Sequence, residues 1–376
     1  MIYLDSAATT LQKPAAVSKA IAGAVCRMAS PGRGGHRPAM MAADTVFRCR
    51  REAADLFEVS SPENVVFTSN ATHGLNIAIH SLVRPGSTVL ISGYEHNAVT
   101  RPLTAMPGIT VKTATSPLFC PDQFLADFAR QLTGEVSCVI TTHVSNVFGY
   151  ILPVERMAEL CAQKNVPFIL DASQSAGCLP VSMERLKAAF IAMPGHKGLF
   201  GPQGTGLLLC GQIGEPLLQG GTGSISLSQE MPEFLPDRLE AGTHNVCGIA
   251  GLLEGIRFVR RKGTKAILDH ERALTARAAR LLSRVNGVEV FCAPDPACQA
   301  GVLSFRVADR DCEEVGDALG TCGVAVRAGL HCAPAAHRSA GTLETGTIRA
   351  SFSPFNAMRD PMVLAECLRH IQNQSR

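Results

Sequence analysis

Ala188-Ala189-Phe190-Ile191-Ala192-Met193-Pro194-Gly195-His196-Lys197-Gly198-Leu199-Phe200-Gly201-Pro202 is the stretch whose reading decides the fold. Residues 188–192 form a short apolar run of strand character, and Pro194-Gly195 closes it, so the next residues are expected on a loop at the strand's end. On that loop a lysine follows a histidine, with glycines on both sides. The glycines leave room for a bulky group to approach the backbone. A lysine held in a partly apolar site loses basicity and becomes able to attack a carbonyl. Lys197 thus reads as a Schiff-base lysine. A surface lysine in a glycine-rich turn is the other reading, and the neighbouring strand ends separate the two.

Working outward, apolar strand-like runs at 65–68, 88–92, 111–113, 136–142, 166–170, 188–192 and 206–210 alternate with helical patterns at the spacing of βα units. This predicts an α/β fold with a mostly parallel sheet and helices on its faces. In such sheets ligands bind outside the carboxyl ends of the strands. The first end reads Thr68-Ser69-Asn70-Ala71-Thr72-His73-Gly74 and opens a helix. Its first amides at Ala71 and Thr72, with the Thr72 hydroxyl, can cradle a phosphate or simply be capped. The next gives Gly93-Tyr94-Glu95-His96-Asn97, where His96 can stack on a ring, shuttle a proton or cap a helix. A third gives His143-Val144-Ser145-Asn146, where the Asn146 amide can donate to a phenolic oxygen or cap the loop. The fourth places Asp171 directly behind a buried strand. There its carboxylate needs a partner, such as a protonated pyridine nitrogen or the amides of the following helix. A Schiff-base lysine, a phosphate cradle, a ring histidine, an amide donor and a buried aspartate together are the set that pyridoxal 5'-phosphate requires.

Composition narrows the remainder. A chain of 376 residues, 46% hydrophobic, suits one large and one smaller domain. A dispersed net charge of +3 offers no face for nucleic acid. The opening Met1-Ile2-Tyr3-Leu4-Asp5 lacks a leader pattern, and no apolar run reaches membrane-spanning length, so a soluble cytoplasmic protein with no membrane partner is expected. Fourteen cysteines with no Cys-x-x-Cys pair point to reduced thiols and no metal site. No Gly-x-Gly-x-x-Gly follows a strand, which disfavours a dehydrogenase.

With these residues in place the chain resembles the class V aminotransferases of the pyridoxal-phosphate fold type I, and among them the cysteine desulfurases and selenocysteine lyases. The landmarks are Tyr3-Leu4-Asp5-Ser6-Ala7-Ala8-Thr9, Thr68-Ser69-Asn70-Ala71-Thr72, Glu95-His96-Asn97-Ala98, His143-Val144-Ser145-Asn146, Asp171-Ala172-Ser173-Gln174, Gly195-His196-Lys197 and Glu240-Ala241-Gly242-Thr243. The resemblance implies that Lys197 carries the cofactor, Asp171 faces its ring nitrogen, Gln174 bonds its phenolic oxygen and His96 stacks on the ring. It also implies that Thr72 and His196 hold the phosphate, Asn146 lies beside the substrate, and Thr243 reaches the site of a second subunit, making a homodimer with shared active sites. Pro194 departs from a serine usual in the family, and a proline cannot donate a hydrogen bond to phosphate.

The C-terminal third reads as a smaller α+β domain, giving an expected division into an N-terminal segment 1–12 that packs with the small domain, a large cofactor-binding domain 13–248, and a small domain 249–376. Within it Val326-Arg327-Ala328-Gly329-Leu330-His331-Cys332-Ala333-Pro334 and Gly346-Thr347-Ile348-Arg349 stand out. A cation near a thiol favours the thiolate, so Cys332 on a Gly/Pro-bounded loop is a candidate nucleophile or an inert core cysteine. The segment is similar to the group II desulfurase signature, with Leu330 where a second histidine is common. The resemblance implies that Arg349 and Asn146 take the carboxylate of L-cysteine or L-selenocysteine, Arg327 lies near the thiol, and Cys332 receives sulfur for a later acceptor protein or thiol. A class V aminotransferase or epimerase without a cysteine nucleophile, and a catalytically quiet sulfur-relay scaffold, are the other readings.

Overall fold

A computed structural model of the chain describes residues 1–32 and 34–373. Its strands in chain order are β1 (Ile2–Tyr3), β2 (Val65–Thr68), β3 (Thr88–Ser92), β4 (Thr110–Ala114), β5 (Val136–Thr142), β6 (Phe168–Asp171), β7 (Phe190–Pro194), β8 (Gly206–Cys210), β9 (Val288–Phe291), β10 (Val302–Val307), β11 (Val324–Ala325), β12 (Arg327–Gly329) and β13 (Thr347–Ser351). Seven of them make one sheet in the order β2-β8-β7-β6-β5-β3-β4. Its pairs are parallel apart from those of β8, which runs antiparallel to both β2 and β7. β6, β7 and β8 are buried along their whole length because helices cover both faces. That is why they read as continuous apolar runs rather than alternating ones.

Local chemistry moves several element ends from where the sequence patterns put them. β7 runs on through Pro194, which pairs with Gly206; a proline is tolerated at a strand's last position, where no further N–H is needed. β6 starts at Phe168, after Pro167, and carries Asp171 as its final residue. The helix after β2 spans Ala71–Leu82 and begins four residues before the apolar periodicity does, because the Asn70 side chain accepts from the amide of His73. His36 caps a helix that already includes Arg37, Arg37–Phe57, while Arg33 lies outside the described residues.

A smaller antiparallel sheet, β12-β13-β10-β9, is backed by helices Thr264–Leu282, Cys312–Thr321 and Asp360–Asn373. The N-terminus joins this layer: β1 pairs in parallel with β11, and Leu4 is fully buried in its core with Leu303 and Phe305. Helix Val246–Lys262 instead lies on helices Ala15–Arg27 and Arg37–Phe57, and its Ile249, Leu252 and Ile256 belong to the large core. We propose Gly263, φ +83°, as the junction between the two layers.

Candidate active site

In the parallel ladder Thr142 stands opposite Asp171, and Asp171 opposite Ala192, so β5 and β6 finish level with one another while β7 runs two residues further, to Pro194. Above them is a cavity of about 220 Å³. Of the residues expected to hold a cofactor, Ala71, Thr72, His96, Asn146, Asp171, Gln174, His196 and Lys197 line it, and Pro194 does too. Thr243 does not: it is exposed and lines a separate cavity of about 400 Å³ with Leu217 and Leu218.

The glycines around Lys197 serve a different purpose from the one expected. A side chain at Gly198 would lie 2.2 Å from the Ala176 carbonyl oxygen, and one at Gly177 would lie 2.1 Å from the Gly198 oxygen. The space beside the lysine is filled by the protein's own backbone, and this close packing fixes the turn that carries Lys197. From the other side, the His196 carbonyl accepts from the Thr10 amide (3.1 Å) and from the hydroxyls of Thr10 (3.0 Å) and Thr9 (3.3 Å). Desolvation in the pocket brings the Lys197 amine down to about 8, with the positive charges of Arg349 and Arg327 adding to the effect and Asp171 and Asp5 opposing it. A lysine so placed is half neutral near pH 8 and can act as nucleophile or base.

Asp171, 3% exposed, accepts from the Ser173 amide at 2.9 Å. His96 accepts the Ala98 amide at Nδ1 (3.0 Å), which assigns the proton of the neutral ring to Nε2. Burial lowers its pKa, with Lys197 adding to the effect and Asp171 opposing it. His196 is pushed to about 4 by burial and by Lys197 and Lys13, and its buried Nδ1 has no partner within the protein. The Gln174 amide nitrogen donates to the Ala7 carbonyl (2.9 Å).

Cys332 does not line this cavity but is tied by backbone contacts to residues that do or that adjoin them. Its carbonyl accepts from the Asn97 amide (2.8 Å), next in chain to His96, and the preceding His331 carbonyl accepts from the Asn146 side chain (2.8 Å). His331 and Cys332 both adopt left-handed φ, +50° and +55°, a conformation costing about 1–3 kcal/mol per non-glycine residue. His331 is buried with Nε2 against Thr347, whereas Cys332 is exposed. The strained pair thus turns the histidine in and the cysteine out.

Arg349 is 2% exposed; its guanidinium donates to the Asn146 carbonyl (2.9 Å) and to Asp5 (2.9 Å), and its buried Nε has no protein partner. Arg327, half-exposed, also grips Asp5, at 3.0–3.3 Å. One aspartate therefore holds both arginines in place.

The family described as Aminotransferase class-V matches residues 2–361. The chain belongs to the class V aminotransferase family. It is 32% identical to a probable cysteine desulfurase of Methanothermobacter thermautotrophicus, over 98% of this chain and 94% of that one. It is also 32% identical to a probable cysteine desulfurase of Mycolicibacterium paratuberculosis, over 99% of this chain but only 55% of that longer relative. Among solved structures, the apo cysteine desulfurase of Thermococcus onnurineus NA1 superposes with a TM-score of 0.90 at 29% identity, covering 99% of this chain and 95% of that one.

Three groups in this class V aminotransferase stand in the landmark segments of the sequence but were assigned no role there. Asp5 is one, although it follows an apolar residue behind a strand, the same signal that singled out Asp171. Glu95 is another: wholly buried, it accepts from the Ser92 hydroxyl and from the Thr142 amide (2.8 Å) just under the cavity floor. The third is Glu240, which with Arg50 forms a buried bidentate pair and takes His244 at 2.6 Å and the Phe67 amide at 2.5 Å. This knot fastens the turn bearing Thr243 to β2.

Proposed function

We propose that the protein is a cysteine desulfurase that uses pyridoxal 5'-phosphate to convert L-cysteine to L-alanine, leaving the sulfur as a persulfide on Cys332. The observation that carries this reading is the juxtaposition of two chemistries. A desolvated lysine and a buried carboxylate share one cavity, and an exposed thiol is pinned to the loop that supplies the cavity's histidine. The full-length relatives named cysteine desulfurase support it.

The donor set suits the cofactor. Asn70 caps the amide of His73, so the first amides of that helix, at Ala71 and Thr72, are left for a phosphate, with the unpartnered His196 ring beside them. Asp171, whose one oxygen is taken by Ser173, would hold a proton on the ring nitrogen, and Lys197 would anchor the aldehyde. When bound, the cofactor supplies an electron sink for charge developing at the substrate's Cα. Everything else falls to the chain. Arg349 offers its unpaired Nε edge to the substrate carboxylate, in a site where Asn146 is already fixed. Lys197 takes the Cα proton. Cys332, as thiolate, attacks the substrate sulfur: a sulfur–sulfur bond forms, the carbon–sulfur bond breaks, and a proton equivalent to the substrate's thiol proton ends on the new methyl carbon. Cysteine plus thiolate then equals alanine plus persulfide anion, with no redox partner needed.

We infer further that the enzyme works as a homodimer, because Thr243 sits exposed among apolar side chains instead of in its own chain's cavity. We place it in the cytoplasm, acting on L-cysteine or L-selenocysteine and passing its persulfide to an acceptor thiol. Among the described residues no helix is long and apolar enough to cross a membrane. The decisive test is Cys332→Ala assayed with L-cysteine. It should keep the bound chromophore and lose sulfide and alanine production; full turnover would remove Cys332 from the mechanism.

A further inference from the structure

A second, smaller cavity of about 40 Å³ lies behind Lys197. Lys197, Ser173 and Gln174 line both it and the larger cavity, so the two share the lysine as a wall. Its far wall carries Glu271, from helix Thr264–Leu282, at 7% exposure. The carboxyl lies against Gly301, where a side chain would come within 2.8 Å of its Oε2. Its neighbours on the helix are engaged elsewhere: Arg272 donates to the carbonyls of Gln299 and Ala297, and His270 meets that of Asn356. The titratable groups that share its surroundings are Lys197, on the pocket wall, and Cys178, whose thiol is already directed to the carbonyls of Gln174 and Ser175. A buried carboxyl facing a polar pocket requires either a partner or water. A water needs roughly 10–15 Å³ of such space, so the pocket has room for about three. Ser6 adds a hydroxyl to the pocket wall to orient them, those of Thr10, Ser351 and Ser353 being engaged with the protein itself.

We propose that Glu271 is the proton reserve of Lys197, the two exchanging a proton through water held in this pocket. The idea rests on the desulfurase reading. The substrate gives up a Cα proton and a thiol proton, and the product takes back one at Cα and one at the methyl carbon, but a single amine can store only one at a time. Once substrate has displaced Lys197 from the cofactor the two groups are matched in basicity, since burial alone pushes the Glu271 carboxyl up to about 8 and desolvation brings the Lys197 amine down to about 8, so either can hold the proton. The acid passes its proton to a pocket water, which passes one to the Lys197 amine, giving carboxylate and ammonium; the reverse transfer restores the pair with no proton exported to solvent. Glu271 touches neither substrate nor cofactor, so it acts through Lys197.

The experiment uses the full-length holoenzyme and the variants Glu271→Gln and Glu271→Asp. Infrared spectra across pH 6 to 10 should show a protonated carboxyl band that disappears with alkali and is reduced in Glu271→Gln; Glu95→Gln marks the other buried acid. With L-cysteine, Glu271→Gln should lower kcat about tenfold or more at unchanged KM and lose one ionisation from the pH profile. Glu271→Asp should recover most of the rate. A carboxyl already ionised at pH 6, or a Glu271→Gln variant with wild-type kcat and pH profile, overturns the proposal. Wild-type protein that forms no alanine from cysteine sinks the desulfurase reading instead, which the infrared titration does not depend on.

Discussion

Replacing Glu95 by glutamine should invert the pH dependence of the protein's relative stability. Glu95 is 0% exposed, its Oε2 has no partner, and burial, aided by the negative charge of Asp171, raises its carboxyl from 4.5 to about 8. Below pH 4.5 the folded and unfolded chains both hold the proton. Between 4.5 and 8 only the unfolded chain ionises, so stability falls by about 1.4 kcal/mol per pH unit and levels off above the folded value. From pH 5 to pH 9 the loss is about 4 kcal/mol. Glutamine keeps an oxygen for the Ser92 hydroxyl and the Thr142 amide, but its NH₂ replaces an oxygen that lacks a partner, a pH-independent cost of about 1–3 kcal/mol. The variant should therefore be no more stable than wild type at pH 5 and more stable above pH 8. Urea unfolding of the cofactor-free proteins, followed by far-ultraviolet circular dichroism because the chain has no tryptophan, measures the difference. Other titrating groups, Glu271 included, cancel in it. Parallel stability curves for the two proteins across this range would refute the assignment of a neutral carboxyl under the cavity floor.

Asp5→Asn should destabilise the cofactor-free protein by about 3–5 kcal/mol, because buried Arg349 loses its counter-charge, less whatever Arg327 recovers by turning to solvent. Added alanine should restore more of its Tm than it adds to wild type, since a carboxylate then replaces Asp5; equal shifts would argue that Arg349 is closed to anions. Lys197→Ala should purify without a lysine-bound chromophore, read by absorbance after reduction with borohydride. Gly177→Ala, placed at φ +94° and 2.1 Å from the Gly198 carbonyl, should lower both Tm and cofactor occupancy, whereas Gly263→Ala, with open space around it, should change Tm and leave occupancy alone. Thr243→Ala should weaken cofactor retention only in the dimer, which sedimentation together with absorbance resolves.

Much of the fold was legible because strands buried on both faces have no polar face to show: residues 206–210, 136–142 and 88–92 appear in the sequence as they appear in the sheet. Element ends were less so, since each depends on one hydrogen bond or one missing donor, such as the Asn70 cap or the imide of Pro167. Within the site, residues at strand ends announced themselves through the contrast between an apolar run and a polar residue. Glu271 gave no such contrast, being one charge among several on an amphipathic helix. Only the packing of that helix against Gly301 reveals that its carboxyl is turned inward.

The N-terminal segment explains how residues so far apart in the chain can act on one substrate. Leu4 is buried in the smaller layer, Asp5 holds Arg349 and Arg327, the Ala7 carbonyl fixes Gln174, and Thr9 and Thr10 hold the His196 carbonyl. Seven consecutive residues thus connect the small-layer core, the paired arginines Arg349 and Arg327, the pocket glutamine and the lysine turn. The Asn97 and Asn146 contacts set the Cys332 loop against the same edge independently. A nucleophile must reach its target atom to within a fraction of an ångström, and short backbone-level links achieve this with little side-chain freedom to freeze. The two arginines show why the strap must also carry charge. Like-charged guanidiniums brought this close repel one another, and a shared carboxylate from a third segment lets both stay while leaving one edge of Arg349 free. The strap accordingly builds the electrostatic balance of the site as much as its geometry.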